Sequence, residues 1–212
     1  MYVMCGITGA INSSNSVQIV FEGLKTLEYR GYDSWGIAYK TNTEIETIKQ
    51  VGKISSAKLR EINSIIAIGH TRWATHGKVC LENTHPVLSQ NKKISVVHNG
   101  IIENFQELKK FLEEKGFDFA TETDTETISN LIEFFCREKK FEEAVAETSK
   151  ILEGRYAFAA IHAEQNLIIG VKNGSPLVLG RNGKEFFIAS DANAFPAEVK
   201  EAILLEDGEL AV

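Results

Sequence analysis

Helix-patterned segments fill the middle of this chain and strand-patterned segments fill both flanks, so the regular alternation of strand and helix is missing. Residues 105–115 run to Gly116, 125–137 are amphipathic, and 141–152 close at Gly154. Ahead of them, residues 4–11 have the look of a buried strand. Residues 16–28 form a helix pattern with Val17, Val20, Phe21, Leu24 and Leu27 on one face. Residues 36–40 and 44–51 suggest a hairpin, and 65–71 and 94–98 are short β-rich runs that end in polar clusters. Strands return over 156–162, 167–171, 177–179, 186–189 and 202–205. Strands, then helices, then strands predict two sheets with helices packed outside them, an α+β arrangement rather than βαβ units. No GxGxxG or P-loop pattern follows a strand, which argues against a doubly wound nucleotide fold.

With 43% hydrophobic residues the 212-residue chain can fill a proper core, and with only three prolines and no Ser/Gly-rich stretch it shows no internal linker. One domain over 1–212 is the expectation. A net charge of -6 offers no basic footprint for nucleic acid or an anionic membrane. No apolar run is long enough to span a bilayer, and the first ten residues lack a signal-peptide pattern, so a soluble, cytoplasmic protein is expected. Three cysteines, Cys5, Cys80 and Cys136, make a poor disulfide framework and fit a reducing compartment. Cys136 falls in an apolar helical stretch and is expected in a core.

Cys5 stands at the head of the first strand. A thiol attacks only as thiolate, and a free cysteine has a pKa of roughly 8.5, so it needs a base or a positive neighbour. Its own α-amine, with a pKa of about 7.7 to 8.0, could serve if Cys5 were the first residue. With Met1 to Met4 attached that nitrogen is an amide and cannot take the proton. Residues 1–4 are therefore expected to be an upstream extension, with Met4 the true start or all four removed by processing.

Other chemistry gathers where strands end. His70-Thr71-Arg72-Trp73-Ala74-Thr75-His76-Gly77 crowds a guanidinium, an indole, two hydroxyls and two imidazoles into eight residues. Arg72 suits two-pronged binding of a carboxylate, with Thr75 and nearby backbone N–H groups completing it; a surface loop with a paired arginine and a tryptophan capping the core is the plainer alternative. His98-Asn99-Gly100 sets a side-chain amide beside a backbone N–H, two donors of the kind a tetrahedral oxyanion needs. Asn-Gly is equally a common turn pair. Glu122-Thr123-Asp124-Thr125-Glu126 precedes a helix, so Asp124 is either its N-cap or a carboxylate for a substrate ammonium. Tyr29-Arg30-Gly31-Tyr32-Asp33-Ser34 joins helix to strand, and Gly31 can simply end the helix. His70, His76, His85 and His98 lack zinc-motif spacing, no GxSxG elbow is present, and no metal or other cofactor is expected.

Taken together, in order, these stretches resemble the class II glutamine amidotransferase domains of the N-terminal-nucleophile hydrolase superfamily, and among them the glucosamine-6-phosphate synthase branch. The resemblance spans essentially the whole chain. It is carried by Cys5-Gly6-Ile7-Thr8-Gly9, the segments 27–34 and 70–77, His85-Pro86, Val97-His98-Asn99-Gly100-Ile101-Ile102-Glu103-Asn104 and the segment 122–126, with Gly174-Ser175-Pro176-Leu177 and Ala189-Ser190-Asp191 in support. The glutaminase half of amidophosphoribosyltransferase shares the cysteine and the Asn-Gly pair but differs around Arg30 and Arg72. The family implies a four-layer αββα sandwich. It implies that Cys5 attacks the glutamine side-chain amide and that Asn99 with the Gly100 N–H binds the oxyanion. Arg72, Trp73, Thr75 and His76 would hold the α-carboxylate and Asp124 the α-ammonium, with Arg30 and His85 in support. The products would be glutamate and ammonia.

Two departures stand out. Trp35 takes the place of a small residue, which predicts altered packing under the site. The chain also stops at Val212, where the family continues into sugar-isomerase domains that bind fructose 6-phosphate and whose full-length proteins are homo-oligomers. Their absence implies either a shortened chain or a stand-alone glutaminase that releases ammonia. A catalytically silent glutamine-binding domain is the rival from another class.

Overall fold

The computed structural model describes residues 5–73 and 78–212. The chain opens with strand β1 (Gly6–Ile11), helix α1 (Ser16–Thr26) and a 3-10 turn (Leu27–Arg30), then strands β2 (Ser34–Lys40), β3 (Ile45–Val51) and β4 (Ile66–Arg72). Strands β5 (Val87–Leu88) and β6 (Ile94–Ile102) lead into helices α2 (Phe105–Glu114), α3 (Thr125–Cys136) and α4 (Phe141–Ile151). The remainder is β7 (Gly154–His162), β8 (Ile168–Asn173), β9 (Val178–Asn182), β10 (Glu185–Ala189), β11 (Glu201–Leu204) and β12 (Leu210–Ala211).

Among the described residues the strands form two antiparallel sheets. One has seven strands in the order β11-β9-β10-β1-β4-β2-β3, and the other has five in the order β12-β8-β7-β6-β5. Side chains alternate across each strand, so each sheet needs an apolar partner on both faces. Ile7 and Ile11 of β1, Ile66 and Ile68 of β4, and Ala157, Ala159 and Ile161 of β7 meet between the sheets. The opposite face of the first sheet, through Ala10, Trp35, Ile37, Tyr39 and Ala67, packs on Val17, Val20, Phe21 and Leu24 of α1. The opposite face of the second, through Val96, Tyr156, Phe158 and Ala160, packs on Leu112, Ile128, Leu131, Ile132 and Val145 of the three middle helices. Three apolar seams separate four layers, the αββα sandwich that the resemblance implies and that agrees with two sheets read from the order of the segments. Each large side chain buried in a seam contributes about 1.5–3 kcal/mol.

Trp35 leans on Phe21 of α1 with ring centroids 5.6 Å apart in an edge-on pair. Its bulk therefore fills the outer seam, not the space between the sheets. Cys136 packs at the margin of the helical seam, where burial and the nearby Glu133 push its thiol up to about 11.

The seating of α1 depends on Gly69. A methyl group there would lie 2.6 Å from Val20 Cγ1 and 2.9 Å from Leu24 Cδ1, closer than carbon atoms pack. Gly69→Ala should therefore cost about 1–3 kcal/mol through overpacking, a fall in Tm of about 2–4 °C for each kcal/mol in a domain of this size. Adding Val20→Ala removes one clash partner, so the double variant should be more stable than the sum of the single losses by at least about 0.5 kcal/mol. Urea unfolding of the four proteins checks this, and strict additivity would contradict the seating described.

Candidate active site

β1 and β4 are antiparallel neighbours with Gly6 opposite Thr71, so the start of one strand meets the end of the other. Cys5, one residue before β1, consequently lies beside Arg72 and Trp73. The Trp73 backbone N–H donates to Cys5 Sγ at 3.2 Å, and the thiol reaches the Trp73 carbonyl at 3.5 Å. The 3-10 turn brings Arg30 to the same place, with Nε donating to the Cys5 carbonyl at 3.3 Å. Asp191 holds the turn: Tyr29 donates its hydroxyl to Oδ2 at 2.6 Å, and Arg30 Nη1 lies 3.6 Å from that oxygen. Gly31 touches the backbone of β4, where a Cβ would come within 2.7 Å of the Arg72 carbonyl carbon. Asp33 N–H donates to Arg72 O at 3.1 Å. The segment 29–34 is thus a brace for the β4 end and for Cys5, more than a helix-ending turn.

The second sheet contributes Asn99. Its Nδ2 donates to the Cys5 carbonyl at 2.8 Å across the gap between the sheets. The Asn-Gly pair does not end its strand: β6 runs to Ile102, pairing Asn99 with Ala157 and Gly100 with Tyr156. Gly100 has φ +118, and a Cβ there would sit 2.1 Å from Arg155 O, so glycine is required twice over. The turn alternative fails because tertiary pairing with β7 claims these residues.

Asp124 stands at the N-terminus of α3 but makes no side-chain capping bond to it. Instead Oδ2 accepts the Ile102 N–H at 2.9 Å, and Oδ1 lies 3.8 Å from His98 Nδ1. Its neighbours divide the remaining work. The Glu126 carboxylate accepts the N–H groups of Ala120 and Thr121 at 2.8 and 2.6 Å. Glu122 accepts from Lys78 N–H at 3.3 Å and from Asn83 Nδ2 at 3.0 Å. Arg72, almost fully buried, donates from Nη1 to Lys78 O at 3.1 Å, so the acidic segment and the arginine are tied through the same residue.

Behind Asn99 lies a group of buried histidines. His70 Nε2 is 2.9 Å from His98 O and 3.0 Å from Asn99 Oδ1. The His70 and His85 rings pack with centroids 4.3 Å apart, and Thr125 Oγ1 lies 2.6 Å from His85 Nε2 and 3.0 Å from His98 Nδ1. Burial lowers the pKa of all three; for His70 it falls to about 3, with the charge of Arg72 a lesser cause. They are neutral at physiological pH. Burial pushes the Cys5 thiol up, against the Trp73 N–H and the charges of Arg72 and Arg30. A thiol so placed is protonated at neutral pH and needs a base before it can attack.

Of the residues singled out in the sequence, Cys5, Arg30, Trp73 and Asn99 are in direct contact, Arg72 adjoins Trp73, and Gly100 follows Asn99 in β6. His85 and Asp124 join through His70, His98 and Thr125. Thr75 and His76 lie outside the described residues, as do residues 1–4. Sequence reasoning missed His70, His98, Thr125 and Asp191 as parts of one framework. Their signal was present, since all four sit inside the quoted motifs, but only strand register reveals which side chains face one another. Among the described residues, no group of three or more His, Cys, Asp or Glu side chains is arranged to hold a metal ion. No helix among them is long and apolar enough to cross a membrane.

The neutral histidines have a consequence for stability. Below pH 6.5 the unfolded chain protonates its histidines, whereas folded His70 resists down to about 3. The unfolded state then binds more protons, so stability is complete above that window and is lost as pH falls through it, at about 1.4 kcal/mol per pH unit for each such group. Urea midpoints measured from pH 7.5 to 4.5 should fall accordingly, and His70→Gln should flatten the slope. An unchanged slope in that variant would assign the loss to other groups.

Comparisons with known proteins give the family of the chain. A family model described as a glutamine amidotransferase domain matches residues 70–197. The chain is 45% identical over 99% of its length to the glutamine–fructose-6-phosphate aminotransferase (isomerizing) of Clostridium perfringens, of which it covers 35%. It is also 45% identical over 98% of its length to the same enzyme of Aquifex aeolicus, of which it covers 36%. It thus spans about a third of the length of these relatives. Among solved structures, the glutamine phosphoribosylpyrophosphate amidotransferase of B. subtilis superposes with a TM-score of 0.84 at 29% identity, over 97% of this chain and 46% of that one. With the family model covering more than half of its residues and close relatives covering nearly all of them, the chain belongs to the glutamine amidotransferase domain family.

Proposed function

We propose that this domain hydrolyses the side-chain amide of glutamine to glutamate and ammonia through a thioester on Cys5. The observation that carries the reading is the meeting of Cys5 with Asn99, 94 residues away and on the other sheet, at 2.8 Å. With Asn99 bonded to the main chain of Cys5 and Gly100 next to it in β6, a thiol, an amide donor and a backbone N–H are available to attack a carbonyl and receive its oxyanion.

In this reading a base takes the Cys5 proton, and the base is the α-amine of Cys5 once that residue begins the chain. The thiolate adds to the glutamine side-chain carbonyl carbon. The oxyanion is received by the second hydrogen of Asn99 Nδ2 and by the Gly100 N–H. Collapse breaks the C–N bond, the amine base returns its proton to the nitrogen, and ammonia leaves. Water then attacks the thioester, the proton it sheds returns to sulfur, and glutamate departs. Arg72 with Trp73, Thr75 and His76 grips the substrate α-carboxylate and Asp124 its α-ammonium, which fixes the amide over sulfur. Arg30 holds the Cys5 carbonyl, and His85 supports the opposite wall. In a protein as long as the curated relatives, the ammonia would pass to fructose 6-phosphate in separate sugar-binding domains, within a homo-oligomer, in the cytoplasm.

Cys5→Ala should abolish glutamate and ammonia release from a preparation beginning at Cys5, by about 10³-fold or more. Coupled glutamate and ammonia assays read this directly, and turnover that survives the change would sink the mechanism. Turnover by the unsubstituted preparation excludes a silent binding domain. Asn99→Ala should lower kcat by about 10²–10³ with little change in KM, because the donor acts on charge that exists only in the transition state. Asp124→Asn should behave in the opposite way. Loss of a charge-assisted contact worth about 1.5–3 kcal/mol raises KM by about 10- to 150-fold with kcat largely kept. Steady-state kinetics on the two variants separates the roles, and equal effects on kcat and KM in both would contradict them.

A further inference from the structure

A side-chain amide presents a donor at one end and an acceptor at the other, and half a turn about its last bond exchanges them. For Asn99 the exchange would point an oxygen at the reacting carbonyl and repel an oxyanion. Two contacts oppose it. The Cys5 carbonyl accepts from Nδ2 at 2.8 Å, and His70 Nε2 meets Oδ1 at 3.0 Å. The second contact is itself determined. His70 Nε2 also lies 2.9 Å from the His98 carbonyl, which can only accept, so Nε2 must carry the hydrogen. An Nε2–H can face the oxygen of Asn99 and not its NH₂. The carbonyls of Cys5 and His98 thus select the same amide orientation from opposite sides.

His70 is held for this task. It is 1% exposed, follows Gly69 on β4, and its ring lies against His85, which is bonded to Thr125. Its Nδ1 has no hydrogen-bond partner among the described residues, as befits the unprotonated nitrogen of a neutral ring.

We infer that His70 is a positioning residue: its Nε2–H holds Asn99 Oδ1 so that Asn99 Nδ2 faces the Cys5 end of the cleft. The inference rests on the glutaminase reading given above. His70 acts through Asn99, and the contacts described for it run to His98, Asn99 and His85, not to sulfur.

The test compares His70→Leu, which removes the donor at similar bulk, with His70→Gln, whose terminal NH₂ keeps a donor at similar reach. In the form of the protein that turns over glutamine, His70→Leu should lower kcat by about 10- to 100-fold with KM within about threefold. His70→Gln should recover most of that loss. In an Asn99→Ala background, His70→Leu should change kcat by less than about threefold, since the group it positions is gone. Alkylation of Cys5 by iodoacetamide, which forms no oxyanion, should proceed at the same rate in all variants. Full kcat in His70→Leu, an equal loss with and without Asn99, or a parallel fall in alkylation rate would each overturn the inference. Ring ¹⁵N shifts of His70 give a check that needs no turnover: an Nδ1–H tautomer at pH 7 would refute it. Lack of glutamate release by the unsubstituted protein, with the Nε2–H tautomer observed, would instead refute the glutaminase reading alone.

Discussion

The hydrogen bond from Asn99 to the Cys5 carbonyl crosses between the two sheets, as do those of His70 Nε2 with His98 O and Asn99 Oδ1, at the end of a seam packed from apolar side chains. Its length depends on the spacing of the whole sandwich. The seam of Ile7, Ile66, Ile68, Val97, Ala157, Ala159 and Ile161 sets how closely the sheets approach, and small residues on β7 keep that approach tight. A change of packing in this seam moves Cys5 relative to Asn99, whose ladder partner Ala157 is itself a seam residue. The polar site is therefore a consequence of an apolar dimension.

Polar groups buried around the site are largely paired with one another. Asn83 bonds Lys78 and Glu122, Asp124 bonds the β6 backbone, and Thr125 lies between two histidines. Such a network restricts geometry as much as it stabilises, because each member allows few alternative partners in a low-dielectric interior. Three neutral imidazoles, beside the guanidinium of Arg72, give the wall dipoles in place of charges near neutral pH. Charge in the site comes instead from Arg72, Arg30 and Asp124, at its edges.

The layers of the fold were legible because apolar periodicity and segment order are local properties. The four long helices and most strands fall within a few residues of where the pattern puts them. Strands β5 and β12, each two residues long, are too short to carry an alternation and exist only through pairing with β6 and β8. Asn99 and Gly100 carry local turn chemistry, yet pairing with β7 overrides it. For the candidate site, motif content singled out Cys5, Arg72, Asn99 and Asp124. It could not reveal that Asp124 leaves its own helix uncapped to hold Ile102, or that His70 faces Asn99, because those relations are set by register between elements far apart in the chain.

β1 is the middle strand of the seven-stranded sheet, and β6 is flanked on both sides in the other. Interior strands are the last parts of a domain to open, so the frame that carries Cys5 and Asn99 separates only when the whole sandwich does. Damage in the two outer seams, between each sheet and its helices, then acts on the number of working molecules rather than on the quality of each one. A destabilised variant would lose activity in proportion to its unfolded population, while every folded copy kept the same arrangement of thiol and amide.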